Sequence, residues 1–369
     1  MSRDYPADRD SVDVSFRTGL PLEEIAPLWR ALEVSAQPSF FLTWYWVGCW
    51  LRESGLSPEL LIARRHGQPV ALALLQSGKT GLLRPARHLT ACGDTSLDSA
   101  FIEYNGFLAA AKDQSRAMHA FRAFLTGPGS ETWSSLHLPG VDAAMRALWP
   151  EDTFAVRIES EREAPYVDLT ALRSAGQAYL ASRSANCRQQ IKRSLRLFGG
   201  EQNLRLETPK DLDGAYRFFG ELKTLHQKSW QARGKPGAFA APFFEKFHKA
   251  LIKEAWPAGH IDLLRLKAGA ETVGCLYNFL YDGQAYAYQS GFAEFDDPRC
   301  KPGLVTHSLA AQRYLDRGVK RYLLLAGESR YKTSLSTGTD RMEWLIVRRK
   351  GFRSAIEAFA ERAKRKLGR

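Results

Sequence analysis

The sequence predicts two consecutive α+β domains of one design, and three observations carry that expectation. The chain has 369 residues, and at roughly 100–200 residues per domain this suits about two. Its composition, 44% hydrophobic and 25% charged, is that of a globular protein with enough chain in each half for a core. The order of elements repeats: each half reads helices, hairpin, strand, helix, strand.

In the first half, residues 1–11 carry no periodic pattern and are expected to be disordered. Leu22 to Ser35 reads as a helix with Ile25, Leu28, Trp29 and Leu32 on one face. Phe41 to Glu53 is a second helix, rich in aromatics. Leu60 to Arg65 and Pro69 to Gln76 are apolar runs split by His66-Gly67-Gln68, the pattern of a hairpin. Leu82 to Ala91 reads as a third strand, Phe121 to Leu125 as part of a helix, Thr132 to Leu138 as a strand and Ala143 to Leu148 as a short helix. Phe154 to Ile158 closes this half, and the charged run Glu159 to Ala164 reads as a linker. The first domain is thus expected at 12–160 and the second at 165–350.

The second half begins with a long helix from Ala175 to Leu197 and a short strand from Leu204 to Glu207. Helices follow at Leu212 to Trp230 and Pro242 to Ala255. Ile261 to Lys267 and Glu271 to Tyr281 form a hairpin through Ala268-Gly269-Ala270, echoing the first one. Ala285 to Ala293 is a strand, Gly303 to Arg317 a helix, and Arg321 to Ala326 and Met342 to Val347 are strands. Residues 351–369 read as a basic amphipathic helix with Phe352, Ile356, Phe359, Ala363 and Leu367 on its apolar stripe.

The net charge is +12, which favours anionic partners. From Arg348 to Arg369 nine Lys/Arg face two Glu, so this segment holds over half of the surplus. Two outcomes stay open for it: contact with an anionic membrane surface, or docking on the second domain. The N-terminus lacks an apolar core, and no apolar run reaches about 18 residues, so neither a secretory signal nor a membrane span is expected. Cys49, Cys92, Cys187, Cys275 and Cys300 are scattered, which suits buried thiols in a reducing cytoplasm better than disulfides or zinc. No H-E-x-x-H or Cys cluster calls for a metal.

Four strings in the second half carry chemistry. LHQKSWQARGKPGAF holds His226, Trp230 and Arg233; His226 and Trp230 share a helix face. YAYQSGF holds Tyr288, Gln289 and Gly291 on a strand. RCKPGLVTHSL places Arg299, Lys301, Gly303 and Leu304 where a glycine loop opens a helix, and main-chain N–H groups there bind phosphate well. YLLLAGESRYKTSL ends a strand at Gly327, Glu328, Tyr331 and Lys332. His226 and Glu328 are candidate bases, Tyr331 a candidate acid, and Arg188, Trp230, Arg233 and Lys332 candidate substrate contacts. For each, an ordinary structural role stands as the alternative: a satisfied histidine, a helix-start carboxylate, a packed tyrosine, a solvated cation. Arg188, Lys192 and Arg196 recur every four residues as a basic helix face.

These strings resemble the GNAT-superfamily acyltransferases of the cellulose-biosynthesis (CelD/BcsL-type) family, related in fold to the Fem-type peptidyltransferases. The resemblance covers most of the chain and is strongest from Ser182 to Lys350. It rests on SANCRQQIKR with Asn186, Arg188, Ile191 and Arg193, on His226 and Trp230, and on RGKPGAF, YAYQSGF, KPGLV and the Gly327-Glu328…Tyr331-Lys332 ending. It implies tandem GNAT-like domains, each a mixed, mostly antiparallel sheet flanked by helices, with acetyl-CoA or another acyl-CoA as donor. The superfamily's Q/R-x-x-G-x-G/A loop is departed from: with Gly303 on its first glycine, Cys300 takes the Q/R place and Val305 the last. The first half lacks the four strings and reads as a degenerate domain that shapes an acceptor cleft.

The function so implied is cytoplasmic acyl transfer to an amine or hydroxyl of a polar acceptor such as a saccharide. Two alternatives stand beside it: a Fem-type peptidyltransferase using aminoacyl-tRNA, whose phosphates suit the basic charge, and a non-catalytic scaffold of a polysaccharide-synthesis system.

Overall fold

The computed structural model describes residues 11–78, 86–127, 133–327 and 330–350. The chain forms two compact units. One takes residues up to Glu161 and again from Met342; the other is Arg162–Arg341.

The first unit runs β1 (Asp13–Thr18), α1 (Leu22–Ala36), α2 (Trp44–Ser54), β2 (Glu59–Arg65), β3 (Gln68–Gly78), β4 (Ala86–Leu89), β5 (Leu108–Ala109), α3 (Gln114–Thr126), β6 (Ser135–Val141) and α4 (Ala143–Ala147). Strand β7 (Phe154–Asp168) then leads into the second unit. There follow α5 (Leu169–Ser174), α6 (Ala185–Leu197), β8 (Leu204–Glu207), α7 (Leu212–Gln231), α8 (Pro242–Ala255), β9 (Ile261–Ala268), β10 (Glu271–Tyr281) and β11 (Gln284–Phe292). The chain continues through α9 (Pro302–Asp316), β12 (Arg321–Leu323) and α10 (Arg330–Leu335) to β13 (Gly338–Arg349).

Strand order makes the repeat explicit. The first unit is ordered β1-β2-β3-β4-β6-β13, with β5 beside β3. The second is ordered β8-β9-β10-β11-β12-β7. Neighbours are antiparallel except β4 with β6 and β11 with β12, which are parallel. The helix joining each parallel pair is α3 or α9, so both units share an α+β, GNAT-like plan of mixed sheet and flanking helices. The first unit is finished by a strand distant in sequence, β6 pairing with β13 from Glu343 to Val347, and the second by its own first residues, β12 pairing with β7 from Tyr166 to Asp168.

Alternation along the strands places a core against a face of the sheet in each unit. In the first, Leu61, Ala63, Ala73 and Leu75 of the hairpin pack with Phe121 and Leu125 of α3 and with Leu345 and Val347 of β13. In the second, Leu264, Leu266 and Leu276 meet Ile191 and Leu195 of α6 and Val305, Ala311 and Tyr314 of α9. The other face of this second sheet carries an aromatic cluster in which Phe219, Phe244, His248, Tyr277 and Tyr288 lie ring to ring. Burying such a side chain contributes about 1.5–3 kcal/mol.

Several sequence expectations need correction. The charged run 159–164 lies inside β7: its side chains are exposed or half-buried from Ile158 to Glu163, so the strand tolerates them. The helix expected from Ala175 is broken, because Gly176 takes a positive φ of 59° and Ser184 caps α6, accepting the Cys187 N–H at 3.3 Å. Residues 342–349, read with the second domain, pair with the first unit's β6. Residues 1–10, Glu328 and the expected helix within 351–369 lie outside the described residues. Among the described residues no helix is long and apolar enough to cross a membrane, and no group of three or more His, Cys, Asp and Glu could hold a metal. None of the five cysteines is in a disulfide.

Candidate functional site

The site grows from the parallel pair of the second unit. β11 and β12 pair over only three residues, Gln284–Tyr286 against Arg321–Leu323. Beyond them β11 stays with β10, whereas β12's continuation turns toward β7, with Leu324 N–H donating to Pro165 O at 2.8 Å and Gly327 N–H to Glu163 O at 3.3 Å. The two strands therefore splay. β11 also carries a bulge: Asn278 pairs with Ala287 and Tyr277 with Gln289, leaving Tyr288 as the extra residue. Just beyond it, both main-chain groups of Ser290 meet side chains. Its N–H donates to Gln289 Oε1 at 3.0 Å, and its carbonyl accepts from His226 Nδ1 at 3.0 Å.

Gly291 follows, and here glycine is obligatory. A Cβ would stand 2.5 Å from Leu222 O and 2.9 Å from His226 N, because α7 crosses β11 at this point. The role expected for Gly291 at a cofactor is thus first a packing role. Tyr288 likewise gives its ring to the aromatic cluster.

The chain then reaches α9 through a loop tied in three ways. Arg299 and Asp297 form a bidentate pair, with Nη2 to Oδ2 at 2.7 Å, and this guanidinium pulls the Asp297 carboxyl down to about 2. Cys300 N–H donates to Asp297 O, and Lys301 N–H donates to Ser194 Oγ of α6 at 2.8 Å. Helix α9 opens at Pro302 with no side-chain cap. Helix geometry leaves the Gly303 and Leu304 N–H groups without intrahelical acceptors, at the positive end of the dipole. Leu304 and Val305 turn their side chains into the core, so the bulk of Val305 does not obstruct the helix start.

The residues after β12 form the other wall. Leu325 sits at φ 60°, and Lys332 Nζ donates to Leu325 O at 3.1 Å and Ala326 O at 3.0 Å. The far end of α10 is held by Tyr179 Oη, donating to Leu335 O at 2.8 Å, and by Arg183, donating to the same carbonyl at 2.9 Å. Tyr331, between these anchors, stacks on His307 of α9 at 5.7 Å and 26°. Lys332, expected at a substrate, is therefore a cross-link of the strand exit.

His226 is corrected as well. Ser290 O can only accept, so Nδ1 carries the proton; Ala238 N–H donates to Nε2 at 3.1 Å, so that lone pair is used. Burial, with Arg233 nearby, pushes its pKa down. A neutral imidazole with both nitrogens bound to main chain latches α7 to β11 and is not poised to take a proton. Trp230 stacks on it at 5.4 Å, and the Arg233 guanidinium stands 5.1 Å from the Trp230 ring while its Nε donates to Ser229 O. Arg188, half-buried, donates to the carbonyls of Ala181 and Arg183 while lining a basic groove. Gln189, Lys192, Leu195 and Arg196 also line this groove, of about 540 Å³.

The structure thus brings together Gln289, Lys301, Gly303, Leu304, Tyr331 and Lys332 around the splay and α9, and gives His226, Trp230 and Arg188 structural partners. Ser194, Ser290, His307 and Tyr322 were missed as site-forming residues. Only His307 left a trace, as a histidine in the helix after the glycine loop.

In the first unit the matching place is built differently. β4 and β6 also pair over three residues, Ala86–His88 with Ser135–His137. Past them, Asn105 Nδ2 donates to Leu89 O at 3.0 Å and to Pro139 O at 3.0 Å, and Asn105 N–H donates to Gly140 O at 2.9 Å. A Cβ on Gly140 would lie 2.6 Å from Ile102 O, so the segment 102–106 fits closely against β6.

Residues 185–333 match the acetyltransferase (GNAT) domain family. That stretch runs from α6 into α10 and holds Gln289, Ser290, Lys301, Gly303, Leu304, His307, Tyr331 and Lys332. Similar solved structures span nearly the whole chain. One is FemX, at TM-score 0.57 and 8% identity, covering 91% of this chain and 97% of that one. Another is the C-terminal domain of a lysylphosphatidylglycerol synthetase from Agrobacterium fabrum, at TM-score 0.52 and 12% identity, covering 92% and 96%. A third is a conserved protein of unknown function from Bacteroides thetaiotaomicron, at 0.50 and 11%, covering 92% and 100%. At these identities the likeness is one of fold. No curated protein sequence matches the chain.

Proposed function

We propose that the second unit takes an acyl-CoA as donor and passes its acyl group to an amine or hydroxyl of a polar acceptor. The observation that most supports this is the splay of β11 and β12 leading to an uncapped, basic start of α9. The fit is chemical. The free N–H groups of Gly303 and Leu304, with Lys301 beside them, suit a diphosphate. The Ser290 N–H, which donates to the neighbouring Gln289 side chain, suits a thioester oxygen. When bound, the thioester supplies an activated acyl group.

The chain's own residues then do the following. Lys301 and the α9 amides hold the donor's phosphates. The Ser290 N–H stabilises charge on the carbonyl oxygen as the acceptor adds. Tyr331 gives its phenol proton to the departing sulfur. Glu328 takes the acceptor's proton, directly or through water, since the nitrogens of His226 are engaged. The resemblance to the CelD/BcsL-type family favours a saccharide of exopolysaccharide or cell-envelope synthesis as acceptor, with cytoplasmic action near the inner membrane face through residues 351–369.

Calorimetry with CoA and acetyl-CoA tests the donor. Binding that is lost in Gly303→Asp supports the reading, since a Cβ there meets the Phe292 ring at 3.3 Å and the carboxylate opposes phosphate. No heat at millimolar ligand rejects it. The exposed Lys192 and Arg196 favour a second reading, an aminoacyl-tRNA donor. Salt-dependent tRNA binding without CoA binding would select it.

A further inference from the structure

His307 occupies a junction that the acyl-transfer reading leaves unused. It lies on α9 facing the sheet and is 3% exposed. Its Nδ1 is 2.7 Å from Tyr322 Oη on β12. The Phe292 ring at the end of β11 meets it edge-on at 5.8 Å, and the Tyr331 ring of α10 stacks on it at 5.7 Å. One imidazole thus touches both strands that separate and the helix that follows them. Its Nε2 is buried and has no hydrogen-bond partner. Burial holds the ring neutral, with its pKa pushed down to about 3, the nearby Lys332 ammonium adding to this. Burial likewise keeps Tyr322 protonated.

A phenylalanine would keep the stacking and strand no buried nitrogen. What the imidazole adds is the short bond to Tyr322, which fixes the ring in register with β12. Tyr331 is then located from two directions. Lys332, next in sequence, ties its backbone to the strand exit, and His307 offers its ring a fixed flat surface.

We propose that His307 is a positioning residue for Tyr331, setting the phenol at the mouth of the splay. Its catalytic consequence rests on the acyl-transfer reading above, in which Tyr331 is the acid. The contact itself does not.

Two experiments separate these. The first needs no turnover: ring spectra of the protein labelled with ¹³C-tyrosine, the Tyr331 signal assigned by Tyr331→Phe. His307→Leu is expected to move that signal, and His307→Phe, which keeps an aromatic face and the fold, to move it less. A Tyr331 signal unchanged in His307→Leu, or one moved as far by His307→Phe, overturns the proposal. The second follows thiol release from acetyl-CoA with hydroxylamine as acceptor. His307→Leu is expected to lower kcat about tenfold while KM for acetyl-CoA stays within about twofold, and the double variant with Tyr331→Phe to fall no lower than Tyr331→Phe alone. Losses that multiply show that His307 acts apart from Tyr331 and overturn the proposal. A wild type without turnover, or a Tyr331→Phe variant with full kcat, counts against the acyl-transfer reading, and the ring spectra still decide the contact.

Discussion

In the second unit, two parallel strands pair over three residues, part, and lead to a helix that starts at Pro302 with Lys301 before it and no cap. In the first, two parallel strands pair over three residues and part, but an asparagine side chain bonds to the carbonyls of both. The helix there begins after Asp113, whose carboxylate is 1% exposed and held 3.1 Å from Arg65. A buried acid at a helix start favours the dipole but opposes an anion. One strand plan therefore yields an inviting cleft in one unit and a closed one in the other. The difference lies in a few side chains, not in topology.

The largest expected effect concerns ligand count. The comparison requires one CoA per chain by calorimetry, with Gly303→Asp weakening it about a thousandfold, roughly 4 kcal/mol. Ser115→Asp, in the first turn of α3, should change nothing. Two sites per chain, or one surviving Gly303→Asp, would break the contrast.

Acid should also separate the units. His226, His248 and His307 of the second unit all have depressed pKa values, chiefly through burial. Below the unfolded value near 6.5 the unfolded chain takes protons that the folded one refuses, so stability falls as pH drops from there, by on the order of 1 kcal/mol per ring per pH unit. In the first unit His88, lowered to about 4 by burial, acts the same way. Glu33 acts oppositely, because burial raises it to about 7 and the folded form gains on acidification until the unfolded carboxyl is also protonated. Hydrogen exchange at pH 7.5 and 5.5, corrected for intrinsic rates, should show loss of protection concentrated in residues 162–341. Equal loss in both units would contradict it.

Asn105→Ala should destabilise the first unit by about 2 kcal/mol, because two carbonyls between β4 and β6 lose their donor. Denaturation followed by exchange in β4 and β6 measures this, and CoA affinity should be untouched. The smallest effect lies on α6. Lys192→Gln relieves the repulsion of Lys192 by its like-charged neighbours Arg188 and Arg196, and should stabilise by about 0.5 kcal/mol in thermal unfolding. A loss of stability would mean that this cation has a structural partner.

The fold was legible because hydrophobic periodicity and turn residues are local. The order of elements, the duplicated hairpin and both helices between β8 and β9 follow from patterns within about 20 residues. β7 was misread because its solvent-facing charges look like a linker, and the fate of β13 was invisible, since pairing with β6 depends on residues some 200 positions away in sequence. The glycine-led start of α9 was found because its chemistry is contiguous. His226 was misassigned for the converse reason. Its helix position gave no sign that Ser290 and Ala238 would claim both nitrogens. Nothing near Asn105 in the sequence announces that its amide spans two strand ends.

The late closing strand of the first unit bears on how the molecule is made. The first unit's β6 waits for residues 343–347, the last described stretch to leave the ribosome. Until then the nascent first half carries an unpaired edge, the kind of surface that chaperones shield and that sticks to copies of itself. Cleavage at Glu161 would therefore fall on the two units unequally: residues 166–168, which close the second, stay with it, whereas the first would lose residues 343–347, the ribbon that seals it.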